Sequence, residues 1–153
     1  MSLWVGDVAG IDLNGMAKAT LIETLGIEIV ELREDAMVAR MPVDHRTVQP
    51  AGVLHGGASV ALAETLASWA GYFAVDREHF HVVGQEINAN HIRPVFSGWV
   101  TATATPAALG RRSQVWEIRI VDEAGKLVCI SRCTLAVIEQ RSTYATADGR
   151  GQG

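Results

Sequence analysis

Residues 56–74 decide the fold, and they read GGASVALAETLASWAGYFA. The stretch contains no proline, and Glu64 is its only charged residue. A helix with this sequence is apolar on nearly every side, which is typical of a helix that the rest of its domain encloses. We therefore predict a long helix that begins at Gly56 and lies in the core.

Strand-like runs flank this helix and can enclose it. The six runs span about 27–32, 37–41, 83–94, 99–108, 113–121 and 127–138. Turns that contain glycine separate the last four runs, as in an antiparallel meander. A short helix is predicted before the first run, over 15–24, with Asn14 as its N-cap and Gly26 at its end. The pattern favours an α+β domain in which one curved antiparallel sheet of about six strands wraps a central helix.

Length and composition indicate one domain. The 153 residues are 48% apolar and 20% charged, which is enough apolar sequence for a single core. We assign this domain to residues 1–140. Residues 141–153 are rich in Ser, Thr, Gly and Ala and lack an apolar pattern, so we predict a disordered tail there.

Charge, hydrophobicity and cysteine spacing bear on partners and location. The formal net charge of −4 argues against binding to nucleic acid or to an anionic membrane surface. No apolar run approaches the roughly 20 residues of a membrane-spanning helix, and the N-terminus does not resemble a signal peptide. Cys129 and Cys133 are four positions apart in a predicted strand, about 13 Å, too far for a disulfide. We expect two reduced, buried thiols and a cytoplasmic protein.

Glu64 is the first candidate for chemistry, because its neighbours on the helix are apolar or small. A carboxylate in such surroundings is costly unless it has a partner, and loss of water would raise its pKa. Beside a reactive carbonyl it could act as a nucleophile or as a general base for water. The alternative is a structural acid, either bonded to a donor in the core or facing outward at a subunit edge.

The start of the helix offers hydrogen-bond donors. Backbone N–H groups in a first helical turn carry partial positive charge, and glycines at 56 and 57 allow a ligand to approach them. The Gly56 amide is therefore a candidate donor to the oxyanion that forms when a carbonyl is attacked. Gln49 and His55, in the preceding loop, are suited to polarise or orient the same carbonyl, although a loop histidine is often structural.

The spacing of these groups predicts a dimer. Glu64 lies about 11–12 Å beyond Gly56 along the helix axis, too far for both to contact one carbonyl unless the chain enters the helix at an angle. We therefore expect a site that uses both subunits. Ser68 follows Glu64 on the same helical face and could orient the carboxylate or the attacking water. The alternative is a hydroxyl bonded to a carbonyl of its own helix.

Other chemistries find less support. His79 and His81, with His91 further along, suggest a metal site, but no cysteine or carboxylate completes a ligand set at the usual spacing, and we expect no metal. The sequence has no Gly-x-Ser-x-Gly elbow and no phosphate-binding P-loop. Basic residues in the later strands and turns could hold an anionic group or be solvated surface charges. They are His91, Arg93, Arg111, Arg112, Lys126 and Arg132.

Several of these motifs together resemble the hotdog-fold acyl-CoA thioesterases. The matching segments are Gln49-Pro50, VLHGGAS at 53–59, LAET at 62–65 with Ser68, EINANHIRP at 86–94 and LGRR at 109–112. The resemblance covers about residues 15–139. It is strongest to the branch of the 4-hydroxybenzoyl-CoA and 1,4-dihydroxy-2-naphthoyl-CoA thioesterases and the enterobactin proofreading thioesterase. A glutamate at the helical position, where other branches have aspartate, agrees with that branch.

The resemblance implies roles for individual residues. Glu64 corresponds to the catalytic carboxylate and the Gly56 amide to the oxyanion donor, while Gln49 and His55 polarise or orient the thioester carbonyl and Ser68 assists near the water. The substrate-binding positions that it implies are Val83, Asn90, His91, Arg93, Gly110, Arg111 and Arg112. No cofactor is implied, because coenzyme A is part of the substrate. The family forms homodimers with joined sheets, which commonly pair into homotetramers with the helices packed inward or outward.

The expected reaction is hydrolysis of an acyl-CoA to the free acid and CoA. Trp69, Tyr72 and Phe73 follow Ser68 on the helix, which favours an aromatic acyl group, with fatty or β-ketoacyl groups as alternatives. Residues at such spacing are also common in cores. Two other functions compete: a non-catalytic hotdog module that binds acyl-CoA, and an acyl-CoA dehydratase.

Overall fold

The computed structural model describes residues 2–140, so the tail predicted at 141–153 lies outside the described residues. In chain order the elements are α1 (Leu13–Met16), α2 (Leu21–Leu25), β1 (Glu28–Leu32), β2 (Met37–Pro42), α3 (Gly56–Phe73), β3 (Phe80–His91), β4 (Trp99–Leu109), β5 (Ser113–Val121) and β6 (Leu127–Glu139). The long helix and all six strands are confirmed. β3 begins and ends three residues before its predicted bounds, because most of its side chains are partly or fully exposed and give no clear alternation.

The predicted helix over 15–24 is wrong, since two short helices occupy that region. Asp12, and not Asn14, caps α1, where its Oδ1 accepts a hydrogen bond from the Gly15 amide at 2.8 Å. Asn14 instead exchanges two side-chain hydrogen bonds with the backbone of Ile29, at 2.9 and 3.0 Å, and so ties α1 to β1. Thr20 caps α2, which ends as predicted at Gly26, a residue with a φ of 70°.

The strands form one antiparallel sheet in the order β1-β2-β4-β5-β6-β3. β4, β5 and β6 form the predicted meander, but the expectation that β3 begins it is wrong, because β3 crosses to the far side of the sheet and pairs with β6. α3 packs against five of them, β2 to β6, which confirms the α+β architecture of a helix wrapped by a sheet. The largest fully buried side chains lie where helix and sheet meet, among them Met37, Met41, Leu62, Phe73, Trp116 and Leu135. β3 is a terminal strand, and its outer edge pairs with no strand within residues 2–140. None of the helices within residues 2–140 has the combined length and apolar character of a membrane span.

A buried glutamine links α3 to the middle of the sheet. Gln114, on β5, is 2% exposed. Its Nε2 donates to the carbonyl of Gly71 at 3.4 Å, and its Oε1 accepts from Trp116 Nε1 at 2.9 Å. A buried donor that loses its acceptor keeps the full cost of its lost hydration. Gln114 therefore satisfies two polar groups that the core would otherwise leave without partners.

Replacement of Gln114 by alanine is expected to lower the free energy of unfolding by about 1–3 kcal/mol, because it leaves the Trp116 N–H unpaired in the core. Gln140→Ala is the matched control, since the side-chain bonds of Gln140 are exposed to water, and a surface change of this kind should stay within about 0.5 kcal/mol. Urea unfolding of all three proteins at one concentration measures the difference. Equal losses in the two variants would contradict this structural role.

Candidate active site

α3 has one buried face and one partly exposed face. Leu62, Ala63, Leu66 and Ala67 on the first face are completely buried. The second face carries Val60, Glu64, Ser68, Trp69 and Tyr72, all of them partly exposed. The expectation of a helix enclosed on all sides is therefore wrong for this chain alone, because the sheet covers only one side. The partly exposed face of α3 is also mainly apolar. Its composition is typical of a protein surface that another surface covers.

A cavity of about 590 Å³ lies along the open face of α3. Glu64 and Ser68 both line it, as their i, i+4 spacing predicts, and Trp69, Tyr72 and Val82 are among its apolar lining residues. Within residues 2–140 the Ser68 hydroxyl makes no hydrogen bond to a helix carbonyl, so the structural alternative for Ser68 finds no support. The predicted pair therefore shares one cavity.

The Glu64 carboxylate is partly buried and accepts no hydrogen bond from any residue in the described part of the chain. The hypothesis that Glu64 is a structural acid bonded to a donor in the core is therefore not supported, because the described part of the chain provides no such donor. Its Oε1 lies against Gly84 of β3. Its charge also acts on Cys133 of β6: burial first, and then the charges of Glu64 and Glu86, raise the pKa of that thiol to about 11. Glu64 therefore sits over the β3–β6 pair with one side open to the cavity.

A second cavity, of about 330 Å³, collects another group of predicted residues at the start of α3. Gln49, Gly56, His91 and Arg93 line it. The Gln49 Oε1 accepts a hydrogen bond from the Ala51 amide, which leaves its Nε2 as the group that can donate to a ligand. The His91 ring lies directly against Gly56, since a Cβ placed on Gly56 would be 2.8 Å from His91 Nε2.

The first turn of α3 leaves the Gly56 amide free. His55 is the N-cap, and its Nδ1 accepts from the Gly57 amide at 2.7 Å, so the proton of the neutral ring is on Nε2. The His55 carbonyl accepts from the amides of Ala58 and Ser59 at 3.0 and 3.2 Å. Gly56 is the one residue of this turn whose N–H finds no hydrogen-bond acceptor within residues 2–140. His55 thus has a structural role, and that role keeps Gly56 available.

The other predicted binding residues lie apart from these two cavities. Gly110, Arg111 and Arg112 line a third cavity, of about 710 Å³, together with Asp76 and Phe80. Val83 and Asn90 are exposed on β3. Val82, and not Val83, lines the cavity at Glu64, because neighbouring side chains of a strand point to opposite faces. A further cavity of about 630 Å³, beside β1, contains none of the predicted site residues.

Gly84 contacts Glu64 although it belongs to none of the motifs. It begins a β-bulge: Gly84 pairs with Leu135 and Glu86 with Thr134, so Gln85 has no partner on β6. A glycine inside a strand pattern commonly marks a bulge or a close approach of another group. The glycine at 84 was therefore the available sequence signal for this contact.

The cysteines and histidines show little sign of further chemistry. Cys129 and Cys133 are completely buried on β6, in agreement with the predicted buried thiols, and burial raises the pKa of both. His81 and His91 lie at opposite ends of β3, so the three histidines do not converge.

His79 does have carboxylates beside it, contrary to expectation. Ligand atoms of Asp76, Glu78 and His79 lie within 4.8 Å of one another, but all three residues are exposed, and exposed clusters of this kind are common without a metal. A hydrogen bond of 2.8 Å between Asp76 and His79 lowers the pKa of the carboxyl and raises that of the imidazole. Asp76 and His79 thus form a hydrogen-bonded pair at the surface.

Comparison with known proteins identifies the family. Residues 51–129 match the family model of the thioesterase superfamily. The chain is 53% identical to the proofreading thioesterase EntH of Cronobacter turicensis over 126 residues, 82% of this chain and 91% of that protein. It is 46% identical to the 1,4-dihydroxy-2-naphthoyl-CoA hydrolase of Escherichia coli over 136 residues, 89% of this chain and 99% of that protein.

The fold agrees with these relatives. A thioesterase from Haemophilus influenzae superposes with a TM-score of 0.88 at 53% identity, over 93% of this chain and 99% of that one. The helix wrapped by a six-stranded antiparallel sheet is therefore the hotdog fold, as the sequence resemblance implies. The chain belongs to the thioesterase superfamily and is a thioester hydrolase.

Proposed function

We propose that the protein hydrolyses an aromatic acyl-CoA, and that Glu64 is the catalytic carboxylate. The observation that carries the proposal is the carboxylate of Glu64, which has no partner within residues 2–140 and faces an apolar cavity. A structural carboxylate bonded within the core would hold a hydrogen bond. One positioned for attack, or for removal of a proton from water, has to remain free until the substrate arrives.

The thioester carbonyl is proposed to bind at the start of α3. The free Gly56 N–H and the Gln49 Nε2 are the donors there, and a donor to a developing oxyanion is worth about 3–4 kcal/mol in the transition state. In one route, Glu64 takes a proton from water as the water attacks the carbonyl carbon, and the C–S bond then breaks to give the free acid. In the other, Glu64 itself attacks, the C–S bond breaks to leave a mixed anhydride on Glu64, and water then hydrolyses the anhydride to release the acid and restore the carboxylate. In both routes the sulfur leaves as the thiol of CoA once it has gained a proton. Ser68 is positioned to orient the carboxylate or the water.

The proposed active site combines two subunits. In one chain Glu64 and Gly56 line different cavities, and the helix places them about 12 Å apart. The outer edge of β3 pairs with no strand within residues 2–140. This edge and the apolar open face of α3 are both surfaces that a second copy can cover. Joining two sheets at β3 would bring the Glu64 cavity of one copy to the Gly56 cavity of the other. We propose this homodimer as the catalytic unit and a homotetramer as its further assembly.

The CoA part of the substrate is proposed to contact basic residues at the cavity mouths. Arg93 lines the cavity at Gly56, and Arg111 and Arg112 line the separate third cavity. Guanidinium groups bind phosphates through paired hydrogen bonds. His91 lies against Gly56, so its proposed contact is near the thioester rather than at the phosphates.

The acyl group is proposed to be aromatic. Trp69 and Tyr72 flank Glu64 in its cavity, with their rings 6.1 Å apart in an edge-to-face arrangement. Phe73, which was expected beside them, is 1% exposed and belongs to the core. The relative from Escherichia coli is a hydrolase of an aromatic acyl-CoA. A cavity with aromatic walls favours a flat acyl group that can stack or meet a ring edge.

Free-thiol release from a panel of acyl-CoA thioesters tests this substrate class. We expect a kcat/KM higher for benzoyl-, 4-hydroxybenzoyl- or dihydroxynaphthoyl-CoA than for medium-chain fatty acyl-CoA. Higher values for the fatty acyl-CoA would overturn the aromatic assignment. Binding of every thioester without thiol release would favour a non-catalytic binding module, and hydration of an enoyl-CoA would favour a dehydratase.

A further inference from the structure

We propose that Gly84 is a positioning residue for Glu64. Its missing side chain leaves the space in which the Glu64 carboxylate lies against β3. A Cβ placed on Gly84 would be 2.6 Å from Glu64 Oε1, and the next nearest atom is the Glu64 carboxyl carbon at 3.7 Å. Within residues 2–140, Glu64 is therefore the one side chain that an alanine at 84 would displace. This inference rests on the proposed catalytic role of Glu64.

Backbone conformation does not explain the glycine. The described glycines with positive φ are at 6, 10, 26, 52, 98 and 125, and Gly84 is not among them. An alanine can therefore adopt the backbone of residue 84 without strain. A glycine within a strand weakens it, because it adds chain entropy and packs no side chain. The space for Glu64 is the feature that accounts for a glycine at this place.

A bulge begins at Gly84, where the backbone of β3 lies close to the Glu64 side chain of α3. Gly84 and Glu86 pair with consecutive residues of β6, so Gln85 is inserted between them and the strand bends locally. α3 packs against β3, and Glu64 is the residue of α3 that meets this bend. The carboxylate is thus bounded by strand backbone on one side and by the cavity on the other. Its position depends on how closely the strand approaches.

A methyl group at 84 would move the carboxylate without disturbing the fold. To reach ordinary contact, Oε1 has to shift from 2.6 to at least 3.4 Å, a difference of 0.8 Å. Oε1 is the end of a flexible side chain, so rotation about its own bonds absorbs the shift. A displacement of about 1 Å in a reacting group can cost about 100-fold in rate. Activity should therefore fall while stability does not.

The test compares Gly84→Ala with the unchanged protein. We expect kcat to fall by about 10- to 100-fold, with KM within about twofold and a melting temperature equal to or above the original, since alanine favours the strand. The same substitution is made in the Glu64→Gln background, where no carboxylate remains to be displaced. There it should leave the residual rate unchanged.

The two backgrounds separate the possible results. A full kcat for Gly84→Ala, with Glu64→Gln inactive, would overturn the role of Gly84 and leave the proposed function intact. An equal fractional loss in both backgrounds, or a lower melting temperature, would show a general effect on the strand and would also overturn it. Turnover by Glu64→Gln close to that of the unchanged protein would instead remove the proposed function.

Discussion

Replacement of Glu64 by glutamine is expected to lower kcat by about 10²- to 10⁴-fold, the usual contribution of a positioned acid or base. Glutamine keeps the size of the side chain but can neither attack the carbonyl carbon nor take a proton from water. KM should change little, because the donors proposed for the carbonyl are at Gln49 and Gly56. Steady-state release of the CoA thiol measures both constants.

The same variant should fold as well as the original protein. Glu64 is partly exposed and has no hydrogen-bond partner within residues 2–140, so the loss of its charge breaks no contact of this chain. Glu123→Gln is the matched control, because that carboxylate is exposed in the turn between β5 and β6. It should retain full turnover. Near-normal kcat in Glu64→Gln would end the assignment of Glu64 as the catalytic group.

A mixture of two inactive variants is expected to recover activity. Glu64→Gln and Gln49→Ala each damage one of the two cavities. If each site takes Glu64 from one subunit and Gln49 from the other, a mixed dimer has one site with both defects and one with none. Random reassociation makes half of the dimers mixed, so about a quarter of all sites should work.

Co-expression of the two variants with different tags isolates the mixed dimer. Its turnover per dimer should be about half that of the unchanged protein, while each variant purified alone stays inactive. If Glu64 and Gln49 act within one chain, every site in the mixed dimer carries one defect, and no activity returns. That result would disprove the shared active site and leave the chemistry of Glu64 untouched.

Local sequence patterns predicted the elements that bury the most apolar surface. α3 and the strands after it have strong and continuous signals. The turns that contain glycine predicted the meander of β4, β5 and β6, but not the place of β3, which pairs with β6 far along the chain instead of with β4. The first helix was predicted wrongly because Asn14 bonds to Ile29, a partner 15 residues away that no local pattern reveals. α1 also ends at Met16 with Ala17 as its C-cap, and Thr20 then caps α2, a break whose geometry is visible only in the structure.

Motifs in the sequence named Glu64, Gly56 and Gln49 as candidates, and helix geometry already predicted that Glu64 and Gly56 lie too far apart to contact one carbonyl. The two separate cavities that these residues line are visible only in the structure. The sequence also overestimates how fully one chain encloses α3. An apolar helix can be covered by its own chain or by a second one, and its sequence does not distinguish the two. Gly84 was missed because its contact with Glu64 depends on a bulge, which arises from the pairing of β3 with a strand far along the chain.

The strand order also sets the sequence in which the sheet can be completed during synthesis. β3 leaves the ribosome before β4 and β5, but neither of them pairs with it, and its partner β6 is made last. β1, β2, β4 and β5 can associate first, while β3 still has two unpaired edges. A nascent chain cut short before Leu127 would leave β3 in that state, and exposed strand edges promote aggregation. Damage near the 3′ end of the message should therefore produce insoluble protein rather than a shorter soluble one.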